Sequence, residues 1–128
     1  MSPDVDLCVV RRFYAAVAAG DLDGATHFAA DVVWHLPGTS PIAGTHHGWG
    51  EIRDNFLRKL GPLSGGTLRV ELVDVALGSE YVVAVQHAKA ERGARRLDIT
   101  GSQLMRIAEV RGHYSDQNAF DRFWADGG

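Results

Sequence analysis

Apolar residues recur at helical spacing from the start of the chain. Val5, Val9, Phe13 and Ala16 share one stripe, with Leu7, Val10, Tyr14 and Val17 beside it, which predicts a broad-faced amphipathic helix over residues 4–19. Ser2 is placed to cap it, with Pro3 at the first helical position. "AGD" at 19–21 closes this helix and opens a second over "LDGATHFAA", with Asp21 as its cap. The pattern then turns to β character in "VVWHLPG", stopped by Pro37-Gly38. Residues 39–50, "TSPIAGTHHGWG", are too rich in glycine and proline to be regular. Helical spacing returns in "EIRDNFLRKL" through Ile52, Phe56, Leu57 and Leu60, and "GPLSGG" ends it.

Strand patterns fill most of the second half of the chain. "TLRVELVDVAL" alternates Leu68, Val70 and Leu72 with Arg69 and Glu71, then Val73 and Val75 shift the phase. "EYVVAVQHAKAE" is a second strand, "RGAR" a hairpin turn, "RLDITGSQLMRI" a third strand and "VRGHYSDQ" a fourth. The tail "NAFDRFWA" reads as a short helix or an extended plug. The order α-α-β-α-β-β-β-β predicts one α+β domain over residues 1–128, with helices packed on one face of a curved mixed or antiparallel sheet.

Composition narrows the partners. The 128 residues are 45% hydrophobic and 23% charged, an ordinary globular balance with room for a core. Thirteen basic against sixteen acidic residues give a net charge of −3, and no Lys/Arg run exceeds two, which argues against nucleic acid as a partner. No apolar stretch reaches the roughly 20 residues that span a bilayer, and "MSPDVDLCVVRR" lacks a signal-peptide pattern, so a soluble cytoplasmic protein is expected. The one cysteine, Cys8, falls among apolar residues and reads as a small core residue.

Three stretches carry a resemblance: "RRFYAAVAAGDLDGATHFAADVVWHLPG", "PIAGTHHGWGEIRDNFLRKL" and "VRGHYSDQNAFDRFWA". Together they cover half of the chain. They resemble the nuclear transport factor two-like superfamily, which includes ketosteroid isomerase, limonene epoxide hydrolase and the SnoaL-like polyketide cyclases. The resemblance implies a cone: a strongly bent sheet wrapped around three helices and enclosing a hydrophobic pocket, as in cystatin-like folds. It also implies a homodimer through the outer face of the sheet. The isomerase's general base falls on Leu36, or on His35 one residue earlier, and its oxyanion-hole tyrosine falls on Phe13, with Tyr14 adjacent. The hydrolase's late aspartate matches Asp116 and its water-holding asparagine matches His35. Its Arg-x-Asp pair falls near Ala84 and Gln86, so that set is incomplete, and "RLD" at 96–98 lies on the wrong strand.

Asp116 is thus the first catalytic candidate. A carboxylate leaving a strand beside an apolar cavity would be desolvated, raising its pKa toward the range useful for proton transfer. The same "SDQNAF" context equally describes a helix cap at Ser115 or Asp116. His35 is the second candidate, as partner to Asp116; it shares a strand face with Val33, opposite Trp34 and Leu36. His87 shares a face with Val83 and Val85, and Gln86 takes whichever side His87 leaves. Gln103 and His113 are further polar groups on strands, while Trp34, Trp49, Phe56, Phe120 and Trp124 are candidates to line the cavity or build the core. His46 and His47 are expected in a loop at the mouth. No histidine spacing suggests a metal, no serine sits in a nucleophile elbow, and no cofactor motif is present.

These readings converge on a cofactor-independent acid/base enzyme of cyclase, isomerase or epoxide-hydrolase type. It would act on a polyketide- or terpenoid-like substrate, with Asp116 and His35 catalytic and Tyr14, Trp34, Trp49, Phe56, His87 and Gln103 binding. The alternative is a non-catalytic small-molecule-binding or dimeric assembly module with the same pocket.

Overall fold

The structure, a computed structural model, describes residues 7–21, 28–106 and 109–125. The Ser2–Pro3 cap and most of the second predicted helix lie outside the described residues. Helix α1 (Leu7–Ala18) buries Val10, Phe13 and Tyr14, with Val17 half-buried on the same side. Cys8 lies two residues before Val10, about 200° back round the helix. It is therefore exposed, not the core residue expected from its apolar neighbours.

Strands β1 (Val33–Leu36), β2 (Gly44–His47), β3 (Arg69–Leu77), β4 (Val82–Arg92), β5 (Arg95–Arg106) and β6 (Glu109–Tyr114) form one sheet in the order β2-β1-β6-β5-β4-β3. Every neighbouring pair is antiparallel except β1 with β6, which run parallel. The segment 39–50, expected to be irregular, contributes β2. Its four residues pair with all of β1, from Val33↔His47 to Leu36↔Gly44, so pairing overrides the poor strand character of Gly44. The phase shift at Val73 is a bulge: Leu72 faces Gln86 and Asp74 faces Val85, leaving Val73 unpaired and exposed.

Between β2 and β3 the chain is helical from Trp49 to Leu63. Helices α2 (Trp49–Ile52) and α3 (Arg58–Leu63) are joined by a π-helical turn over Arg53–Leu57. The helix thus runs past Gly61 and Pro62, into the predicted "GPLSGG" terminator. The tail resolves as helix α4 (Gln117–Trp124), not an extended plug.

Period-two alternation separates an inner from an outer sheet face. On β4, Val82, Ala84, Gln86, Ala88 and Ala90 are buried, while Val83, Val85 and His87 are only half-buried. On β5, Leu97, Ile99, Gly101, Gln103 and Met105 are buried in turn. The inner face is covered by rings. Trp34 of β1 lies 5.3 Å from Phe13 and 5.6 Å from Phe56, and Phe13 lies 5.7 Å from Phe28, centroid to centroid. Each such pair adds about 0.5–1.5 kcal/mol beyond the area it buries.

Helix α4 is fastened at both ends. The Asp116 carboxylate accepts from Ala119 N–H at 3.0 Å at its N-terminus. Arg92 and Arg95, flanking the β4–β5 hairpin, each donate to the carbonyls of Phe123 and Ala125 at its C-terminus, complementing the helix dipole. Gln117 donates to the Pro37 carbonyl at 3.2 Å. The turn after β1 therefore packs directly on α4. Only glycine fits at Gly38, whose φ is +104° and whose missing Cβ would overlap the Asp121 carboxylate.

A second close approach lies inside the sheet. Gly101 pairs with Tyr114, whose ring lies over it and stacks on Phe120 at 3.9 Å. A Cβ at Gly101 would meet that ring at 2.8 Å. We expect Gly101→Ala to lower stability by about 1–3 kcal/mol, the usual cost of overpacking, as measured by urea unfolding. An unchanged midpoint would show that Tyr114 is not held in this position.

Candidate functional site

A cavity lies between the inner sheet face and the helices. Phe13, Tyr14 and Val17 of α1 line one side, with Phe56, Leu57 and Leu60 of the central helical segment. The π-helical turn widens that segment where Phe56 and Leu57, adjacent in sequence, are both buried against the cavity. Trp34, Gln86, Gln103 and Tyr114 line it from the sheet, and Phe120 and Trp124 from α4. The enclosed volume is about 50 Å³. A larger chamber of about 320 Å³ shares the walls formed by Val17, Leu57, Leu60, Leu68 and Val70.

The cavity's polar groups are hydroxyls, carboxamides and indole N–H groups. Tyr14 donates its hydroxyl to Gln86 Oε1 at 2.6 Å. Burial above all, and the neighbouring Tyr114 next, push the Tyr14 hydroxyl above the ordinary tyrosine value. Burial raises Tyr114 as well, opposed by a hydrogen bond from Gln103. Both phenols therefore remain neutral donors across the physiological range. Gln103 lies across its pairing partner Gly112, where a Cβ would meet Oε1 at 3.0 Å, so the glycine makes room for the carboxamide. Among the described residues, no carboxylate, imidazole, ammonium or guanidinium group lines this cavity.

The structure brings together Tyr14, Trp34, Phe56 and Gln103 of the expected binding set with Phe120 and Trp124, which were candidates for lining or core, and Gln86 on the face that His87 leaves, and it adds Tyr114. Tyr114 was not among the expected binding residues, although it follows Val110 and Gly112 in strict alternation on β6, which places it on the inner face. The two catalytic candidates are elsewhere. Asp116 is exposed and spends a carboxylate oxygen on the α4 cap, so the expected desolvated carboxylate in the cavity is not found. His35 sits on the outer face, where Nε2 meets Glu109 at 3.1 Å and Nδ1 meets Thr45 at 3.2 Å. The physical reason is parity: Trp34 and Leu36 take the inner face, so His35 cannot.

His35 belongs instead to a cluster around Glu109. Tyr81 donates to that carboxylate at 3.2 Å, Arg111 lies at 3.0 Å and Arg106 at 3.6 Å. Burial opposes ionisation of Glu109, but the Arg111 charge and the hydrogen bonds from His35, Tyr81 and Arg111 together hold it below the usual carboxylate value. His87, expected to bind in the cavity, is on the outer face instead, where it pairs with Asp98 at 2.5 Å, and it does not line the cavity. Trp49 is half-buried against the core and does not line the cavity. His46 is not in a flexible mouth loop: it is buried on β2, bonded to the Ile42 carbonyl at 2.9 Å and stacked on Phe56. His47 and His113 are exposed. Among the described residues, no group of three His, Cys, Asp or Glu side chains could hold a metal ion.

Residues 10–115 match the family model of the SnoaL-like domain. The chain belongs to the SnoaL-like family. An uncharacterised protein of Mycobacterium tuberculosis is 36% identical over 138 residues, covering 98% of this chain and all of that one. Bal32a, from a soil-derived mobile gene cassette, superposes with a TM-score of 0.83 at 35% identity over 91% of this chain and 93% of its own. TerC, co-crystallised with polyporic acid, superposes with a TM-score of 0.73 at 21% identity over 91% and 95%, a likeness of fold. The bent sheet around three helical segments is thus the nuclear transport factor two-like architecture of the SnoaL-like proteins, and no described helix is long and apolar enough to cross a membrane.

The position of Asp116 in this SnoaL-like domain generates a prediction. Asp116→Ala should cost about 0.5–2 kcal/mol of stability, the usual cost of losing an N-cap. Ligand affinity should be unchanged at temperatures where the variant is folded, as measured by calorimetric titration beside thermal melts. A loss of affinity in the folded variant would place Asp116 in the site after all.

Proposed function

We propose that this protein binds an uncharged, hydrophobic small molecule on the inner face of its sheet, as a ligand-binding module rather than an acid/base enzyme. One observation carries the reading: among the described residues, the cavity lining contains no group that titrates near neutrality. Proton transfer needs an acid or base with a pKa near the working pH, and both lining phenols are shifted away from it. The absence of a lining charge also disfavours a charged ligand in the cavity, because a buried ion without a partner is costly. A protein of the same fold was co-crystallised with polyporic acid, which supports a small organic occupant. A polyketide- or terpenoid-like molecule is consistent with this chemistry.

The test is the uncharged fluorophore N-phenyl-1-naphthylamine, titrated while the emission of Trp34 and Trp124 is followed. The expected result is saturable binding with an affinity flat from about pH 5 to 9, since no described lining group changes charge there. A bell-shaped pH dependence would instead point to an acid and a base in the site.

The reading includes a homodimer formed through the outer sheet face. Support comes from Ala76, Val83 and Leu104, which are neighbours across β3, β4 and β5, with Val85 two residues along. Sedimentation equilibrium should give twice the chain mass, and Leu104→Glu should shift it toward the monomer. A monomeric wild type at about 100 μM would remove the dimer from the reading.

A further inference from the structure

Buried polar atoms without partners are rare in folded proteins, and each calls for a physical explanation. Among the described residues four buried side-chain N or O atoms have none: Trp34 Nε1, Trp124 Nε1, Gln103 Oε1 and Ser40 Oγ. Three of the four belong to residues that line the cavity. Trp34, Gln103 and Trp124 are 1%, 3% and 1% exposed, so bulk water does not satisfy them. Their demands are complementary. The two indole N–H groups are donors that require an acceptor, and the carboxamide oxygen is an acceptor that requires a donor. A hydroxyl supplies both at once, with one O–H to give and two lone pairs to receive. A ketone meets only the indoles, and a carboxylate would bring an uncompensated charge.

Size restricts what carries that hydroxyl. The cavity encloses about 50 Å³, whereas an apolar cavity that accepts benzene measures about 150 Å³. At that size an aromatic ring is too wide for the inner end, so the fluorophore is expected in the outer chamber, where an extended ligand displaces it. The end of an unbranched chain is narrower. The wall that the cavity shares with the chamber of about 320 Å³, formed by Val17, Leu57, Leu60, Leu68 and Val70, is entirely apolar. Among the described residues, the charged groups that line that outer chamber are Arg58 and Arg69.

We propose that the ligand is a narrow aliphatic amphiphile that enters hydroxyl first. The terminal hydroxyl donates to the Gln103 carboxamide oxygen, the methylene stem runs along the apolar wall shared by the two cavities, and the opposite end remains in the outer chamber. This proposal rests on the ligand-binding reading above and names the ligand class for that site.

The test compares 12-hydroxydodecanoic acid with dodecanoic acid by displacement of bound N-phenyl-1-naphthylamine. The two probes share a carboxylate, which stays in the outer chamber, and differ only at the tip. The hydroxy acid should bind about tenfold more tightly, the scale of satisfying one buried unpaired group. Gln103→Met, which keeps the side-chain length, should erase that preference and bring the two acids to equal affinity, read at a temperature where its melt shows the variant folded. Equal affinities of the two acids for the wild type would overturn the hydroxyl tip. Tighter binding of 1-naphthol than of either acid would overturn the narrow chain. Those outcomes leave the ligand-binding reading standing; failure of the fluorophore and of every probe to bind would overturn the reading itself.

Discussion

The ring contact of Trp34 with Phe13 and Phe56 is the constraint on which the rest of the molecule depends. It joins a short strand, the first helix and the central helical segment at one point on the inner sheet face. With Trp34 inward, parity sends His35 outward, and the parallel pairing of β1 with β6 then sets His35 opposite Arg111 and beside Glu109. The same ring wall encloses the cavity and limits its volume. One packing choice therefore keeps His35 off the cavity wall and narrows the cavity.

Around that wall the sheet trades side-chain volume for polar groups. Gly112 yields room to the Gln103 carboxamide and Gly101 to the Tyr114 ring, each across the same pair of strands. The result is a cavity whose described lining groups hydrogen-bond and stay uncharged near neutrality. A buried Gln103 oxygen and two buried indole N–H groups without partners each cost free energy that an apolar side chain of similar size would not. Such a cost is commonly retained where a binding partner relieves it. The charged chemistry of the chain is concentrated elsewhere, in the Glu109 cluster on the outer face and in the arginines that hold the end of α4.

Much of this was legible from residue order. Period-two alternation on β4 and β5, the phase shift that became the Val73 bulge, and the amphipathic face of α1 are local patterns, and local patterns survive folding. The cap at Asp116 was legible too, as one of two readings of "SDQNAF". Strand β2 was not, because Gly44 and its flanks have weak strand character and only pairing with β1 makes them extended. The exposure of Cys8 was missed for a related reason: apolar neighbours on a helix do not say which of them meets the core.

The sequence by itself determined most of the elements, their alternation and the family, since spacing and turn residues act between near neighbours. It also narrowed Gln86 and His87 to opposite faces of one strand. Which face turns inward was decided only by the tertiary structure, because that depends on contacts between residues far apart in the chain, such as Tyr14 with Gln86 and Trp34 with Phe56. Those contacts gave Gln86 and Gln103 to the cavity and left His35, His87 and Asp116 outside it.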